Sequence, residues 1–153
     1  MKFIVNSSAL LRELQKVNSV ISSNNTLPIL DNFLFEISGS NMTITASDLE
    51  VTMKINILVE SDIDGRITIP ARILIDTLKT FSNQPLTFVI NLSNFSIEMI
   101  SELGNYKLSG HNADEFPKNP ILSGSSSTIF KSEILSNAIS KTLFASGNDD
   151  LRP

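Results

Sequence analysis

The sequence predicts an α+β protein built from antiparallel sheets with helices on one side, and three observations predict it. Residues 43–57, TITASDLEVTMKINI, alternate: Leu49, Val51, Met53, Ile55 and Ile57 fall on one side, Glu50, Thr52, Lys54 and Asn56 on the other. A strand places successive side chains on opposite faces, so this stretch reads as a long strand with one buried and one wet face. Elsewhere Leu10, Leu11, Leu14, Val17 and Ile21 recur at the helical period, as do Leu74, Ile75, Leu78 and Phe81. Finally, strand, helix and a run of strands occur in that order twice, so one supersecondary unit is used twice.

Taken in order, residues 2–5 form a short apolar strand, and Asn6 or Ser7 then offers a side-chain oxygen to cap the first helix. Arg12, Lys16 and Ser19 share that helix's polar face. Ser22, Ser23, Asn24 and Asn25 end it, and Pro28 cannot continue it. A strand follows over 29–37, with Phe33, Phe35 and Ile37 in alternation, and Gly39-Ser40-Asn41 supplies the turn into Met42, Ile44 and Ala46. Ser47-Asp48 is a tight polar connection into the long alternating strand. The acidic loop Glu60, Asp62, Asp64, Gly65 leads to a strand over 66–69. Pro70 suits a first helical position and opens the second helix, whose outward face holds Arg72, Asp76 and Lys79. Three strands close the repeat, over 86–90, 95–99 and 106–109.

Residues 110–127 are rich in Gly, Asn, Pro and Ser and read as an inter-domain linker. After it the beginning returns: residues 128–130 match the first strand, and Ile134, Leu135, Ala138 and Ile139 stripe a helix capped by Ser132. At an offset of 125 residues Leu10 matches Leu135, Leu14 matches Ile139, Lys16 matches Lys141 and Pro28 matches Pro153. The expected division is one complete domain over 1–122, then 123–153 as linker and the truncated start of a second. A helix with one apolar face and no sheet to cover, as over 132–145, should be mobile or packed on another molecule.

Composition narrows the function. The 153 residues include no cysteine, which removes disulfides, thiolate nucleophiles and zinc-thiolate sites and fits a cytoplasmic protein. No stretch is long and apolar enough for a membrane span or a signal-peptide core. Asp48 and Glu50 read as turn chemistry rather than a metal site, because no further acid or histidine joins them. His111, the one histidine, has no nucleophile spaced to use it, and no phosphate-cradling glycine loop appears, so catalysis is not indicated.

The net charge of −4 is unevenly spread. On the three helices Arg12, Lys16, Arg72, Lys79, Lys131 and Lys141 face Glu13, Asp76 and Glu133, whereas strands and loops carry six basic and thirteen acidic residues. If the helices share one side of the sheets, that side attracts a polyanion and the other repels it.

These residues resemble the bacterial sliding clamp family, the beta subunits of DNA polymerase III. The resemblance runs through MKFIVNSSALLRELQKV, NTLPILDNFLFEI, TASDLEVTM, ITIPARILIDTLK, YKLSGHNADEFP and TLFASGNDDLRP, and so covers the whole chain. It implies a clamp fold, with two strand-helix-sheet halves per domain, sheets outside and two helices on the inner face. It also implies a non-catalytic processivity factor, three domains to a subunit, and two subunits in a ring that slides on double-stranded DNA and tethers the replicative polymerase. The partners implied are that DNA, the polymerase and clamp loader through short clamp-binding peptides, and a second copy in a homodimer, with no cofactor and no membrane.

Carried over residue by residue, the family's DNA-facing positions fall on Asn24, Arg72, Asp149 and Pro153. Of these Arg72 alone keeps a cation, so Arg12, Lys16 and Lys79 are expected to supply phosphate contacts. Tyr106 and Leu108, helped by Ile73 and Leu78, correspond to the rim that meets a neighbouring subunit, although core packing suits Leu78 better. Arg152 matches the edge of the partner-peptide pocket, most of which would lie beyond Pro153. The alternative is a scaffold or adaptor domain of the same fold that does not bind DNA.

Overall fold

The computed structural model describes residues 1–22, 25, 27–118 and 128–146. The chain divides into two compact units, Met1–Asn119 and Pro120–Pro153. In the first, β1 (Lys2–Asn6) runs directly into α1 (Ser7–Val17). Asn6 has extended backbone, and its side chain accepts the Ala9 N–H at 3.0 Å, so Asn6 rather than Ser7 is the cap. Ser7 is instead buried, donating to the Ser82 carbonyl at 2.7 Å and accepting from the Gln84 N–H at 3.1 Å. The helix buries Leu10, Leu14 and Val17, and passes through a 3-10 turn at Asn18–Val20.

A second 3-10 turn at Pro28–Asp31 precedes β2 (Asn32–Ser38), which shortens the strand predicted over 29–37 because Pro28 at its start favours a turn. β3 (Asn41–Ser47) and β4 (Thr52–Leu58) form the predicted hairpin with a longer turn. Asp48 Oδ1 accepts the N–H groups of Glu50 and Val51 at 3.0 and 2.7 Å, and Leu49 takes a left-handed φ of 80°. Leu49 and Val51 therefore belong to the turn and are more than half exposed. Met53, Ile55 and Ile57 are only partly covered, because β4 is the edge of its sheet. A leucine at positive φ carries strain of roughly 1–2 kcal/mol, from which the greater chain entropy of an unfolded glycine subtracts about half. Leu49→Gly should raise the unfolding free energy by about 0.5–1 kcal/mol in denaturant titration, even though it removes an apolar side chain.

The predicted acidic loop contains a strand, β5 (Glu60–Ile63), and only Asp64 lies between it and β6 (Gly65–Pro70). β5 pairs antiparallel with β1, and Ser61 Oγ donates to the Lys2 carbonyl at 3.0 Å. An edge strand needs no continuous apolar face, so acidic residues there obscure the pattern. α2 (Ala71–Leu78) starts one residue after Pro70, which is its cap rather than its first turn, and buries Ala71, Leu74, Ile75 and Leu78. β7 (Pro85–Asn91), β8 (Ser96–Ser101) and β9 (Gly104–Ser109) complete the unit.

The strands make two antiparallel sheets in the orders β5-β1-β7-β8-β9 and β4-β3-β2-β6. The first strand of each half-repeat thus pairs in the sheet of the other half: β1 with β7, and β6 with β2. Both helices and both sheets contribute to one core, in which Phe3, Phe33, Phe35 and Phe88 are fully buried.

Residues 110–118, read as linker, are packed onto the first unit. His111 and Thr68 exchange backbone bonds of 2.9 and 3.1 Å, and Ala113 and Phe116 form a small cluster with Leu34. Polar composition hid this, since few apolar side chains, chiefly Ala113 and Phe116, and several polar bonds hold the segment. The rest of that stretch, 119–127, lies outside the described residues. In the second unit, residues 128–130 are not a strand. α3 (Ser132–Thr142) begins with Ser132 inside the helix and Lys131 at the cap without a side-chain bond. Its apolar residues Ile134, Leu135 and Ile139 are exposed.

Candidate nucleic-acid interface

The cations singled out in the sequence lie on α1 and α2, which pack against each other. Each helix buries one apolar stripe, and this turns the remaining positions outward. Arg12, Lys16, Arg72 and Lys79 are all exposed. Arg72 and Lys79 line a groove of about 650 Å³ together with Asn18, Asp31 and Asp76. Arg12 and Lys16 do not line this groove. They stand on the outer face of α1 instead.

Acidic neighbours claim three of the four. Lys16 Nζ donates to both Glu13 carboxylate oxygens at 2.8 and 2.7 Å, and Arg12 Nε reaches the same carboxylate at 3.3 Å. Lys79 Nζ lies 3.1 Å from Asp76 Oδ1. Arg72 has no ion pair among the described residues. Three acids, Glu13, Asp31 and Asp76, therefore stand among four cations, and the face carries a small positive excess. Both lysine pairs have the i, i+3 spacing that brings side chains together on a helix, a signal present in the sequence.

The hydrogen bonds from Lys16 hold the Glu13 carboxyl below the usual carboxylate range; partial desolvation opposes the shift, and the charges of Lys16 and Arg12 reinforce it. For a lowered acid, the stabilising contribution is complete above the ordinary carboxylate range and disappears as pH falls through the lowered value. Glu13→Gln should therefore lower stability slightly at neutral pH and converge with the parent protein as pH falls below about 4, giving a flatter acid limb, as thermal melts from pH 2 to 7 would show.

Leu78 takes the core role that suits it better. Leu78 is 1% exposed and lies on the buried stripe four residues after Leu74, so it packs in the core and does not meet a neighbour. Asn24, Asp149, Arg152 and Pro153 lie outside the described residues. Tyr106 and Leu108 sit on β9, the free edge of the five-stranded sheet. The Tyr106 ring meets Phe81 edge to face at a centroid distance of 4.9 Å, which ties this edge to the end of α2. Ile73 is 53% exposed on α2.

No group of three or more metal-ligating side chains occurs among the described residues. His111 has a structural partner: its Nδ1 lies 3.1 Å from Asn32 Nδ2, beside the backbone bridge to Thr68. No helix among the described residues is long and apolar enough to cross a membrane.

Comparison with known proteins bears on what this face meets. Residues 1–122 match the family model described as DNA polymerase III beta subunit, N-terminal domain. The chain is 31% identical over 153 residues to the beta sliding clamp of Buchnera aphidicola subsp. Acyrthosiphon pisum, covering 99% of this chain and 42% of that protein. It is also 31% identical to the beta sliding clamp of Pseudomonas putida, covering 41% of it. Among solved structures it is similar to the DNA polymerase III subunit beta from Pseudomonas aeruginosa, with a TM-score of 0.90 at 29% identity over 99% of this chain and 41% of that one.

Proposed function

Because the chain belongs to the DNA polymerase III beta-subunit family and has its clamp fold, we propose that it forms one segment of a ring that encircles double-stranded DNA, slides on it and holds the replicative polymerase in place. The chain spans 42% of the length of the Buchnera relative, so the ring, its DNA and its partners are inferred for the whole assembly. On this reading residues 1–122 are the first domain and 123–153 open the second.

The observation that carries the proposal is the set of exposed cations Arg12, Lys16, Arg72 and Lys79 on paired helices, largely but not fully offset by Glu13, Asp31 and Asp76. A ring that gripped phosphates tightly could not slide, and one with an acidic lining would repel them. A small positive excess made of long, solvated side chains gives weak contacts that do not depend on sequence. Such a subunit tethers by topology and carries out no bond chemistry itself. Its partners are duplex DNA, the polymerase and loader peptides, and a second subunit, which Tyr106, Leu108 and Ile73 would meet along the β9 edge. The protein acts in the cytoplasm, where the replicating chromosome lies.

The test uses a chain extended through three domains and loaded on a nicked circular plasmid. Retention in gel filtration at high salt, followed by release when the circle is cut, is the expected result. Loss at high salt from the intact circle would leave an adaptor of the same fold as the better reading.

A further inference from the structure

A second cationic site lies away from the helices, on the face of the four-stranded sheet covered by residues 113–118. Leu34, Thr45 and Lys54 stand directly opposite one another across β2, β3 and β4, and Glu36 stands opposite Arg66 on β6. Paired residues point to the same face, so all five side chains share it. Phe116, Pro117 and Lys118 close over them and leave a cavity of about 210 Å³.

Two features make this more than a solvated surface. Thr45 is 2% exposed, lines the cavity, and its hydroxyl is the one buried side-chain oxygen or nitrogen among the described residues without a hydrogen-bond partner. Buried hydroxyls are almost always paired, because an unpaired one loses its bonds to water and gains none. The second is charge. Arg66 is answered by Glu36 at 2.8 Å and Asp114 at 3.4 Å, whereas Lys54 and Lys118 have no hydrogen bond or ion pair among the described residues. Three cations against two carboxylates leave one positive charge beside an idle donor.

We propose that this cavity binds a carboxylate on a short apolar stem, borne by a peptide as its C-terminus or as an acidic side chain. Thr45 Oγ1 donates to one carboxylate oxygen, Lys54 and Lys118 flank the other, and Leu34, Phe116 and Pro117 receive the stem. A single excess charge suits a monoanion better than a phosphate dianion, and an apolar wall gives a bare oxyanion nothing to contact. The site is independent of the DNA-facing helices.

The 153-residue chain, labelled with ¹⁵N, is titrated with four probes: acetyl-Leu-Leu with a free carboxylate, acetyl-Leu-Glu-amide, acetyl-Leu-Leu-amide and inorganic phosphate. One or both carboxylate peptides should move the amides of Thr45, Lys54 and Lys118 saturably, with a Kd of about 1–10 mM. Acetyl-Leu-Leu-amide, which has no carboxylate, should not, and phosphate should bind at least about five-fold more weakly. Thr45→Val should weaken the peptide about five-fold without lowering the melting temperature, since it removes an unpaired hydroxyl at nearly constant shape. Lys54→Met with Lys118→Met, both at exposed positions, should abolish saturation. Equal binding of the amide control, phosphate binding as tight as the peptides, no saturation, or an unchanged Kd in Thr45→Val would each overturn the assignment.

Discussion

Phe88→Ala should lower the unfolding free energy by about 3–5 kcal/mol, a large share of the roughly 5–15 kcal/mol that holds a domain of this size together. Phe88 on β7 stands directly opposite Phe3 on β1, with ring centroids 4.6 Å apart and planes inclined by 7°. Both rings are fully buried, so the deletion removes apolar area and leaves a void that the surrounding sheets can close only in part. The stacked pair also joins the first strand of one half-repeat to a strand of the other. Its loss should therefore weaken the whole unit cooperatively, with one shifted transition in urea rather than two. Leu103→Ala is the control: at 85% exposed, it should change stability by less than about 0.5 kcal/mol. A small effect at Phe88 would mean that β1 contributes little to that sheet.

Gly110→Ala should cost about 1–3 kcal/mol, more than is usual for adding a single methyl group. A Cβ at Gly110 would meet the Thr68 carbonyl oxygen at 2.6 Å and Ile67 Cδ1 at 2.8 Å. The same carbonyl accepts the His111 N–H at 2.9 Å, so the methyl group collides with the bond that pins residues 110–118 to β6. The backbone cannot retreat freely, because the Gly110 N–H is committed to the Phe95 carbonyl at 2.8 Å. The amides of Thr68 and His111 should then lose hydrogen-exchange protection before the rest of the sheet does, which separates local detachment from global weakening. Uniform loss across all strands would show that the segment is part of the central core.

Much of this architecture was legible because its signals are local. The apolar stripes of α1 and α2 and the β2–β3–β4 meander follow from side-chain spacing alone, and the stripes also turn the cations of both helices outward. Nor was the partial neutralisation of that face hidden, since Glu13 and Asp76 stand three residues before Lys16 and Lys79. The groove was less accessible: periodicity places a residue on a helix face, but the placement of Arg72 and Lys79 in it without Arg12 and Lys16 depends on how the helices cross. β5 and the packed segment 110–118 escaped for a related reason. Each is held by partners more than forty residues away, Lys2 and Phe3 for β5, Thr68 for His111, and neither carries an apolar pattern of its own.

By itself, the sequence determined the helices, every strand but β5, and that one unit occurs twice, because these depend on the chemistry of near neighbours. The exchange of β1 and β6 between the two sheets was decided only in the tertiary structure. An alternating strand is equally able to pair with either half, and the choice rests on which arrangement lets Phe3, Phe88, Phe33 and Phe35 leave water together in one core rather than two.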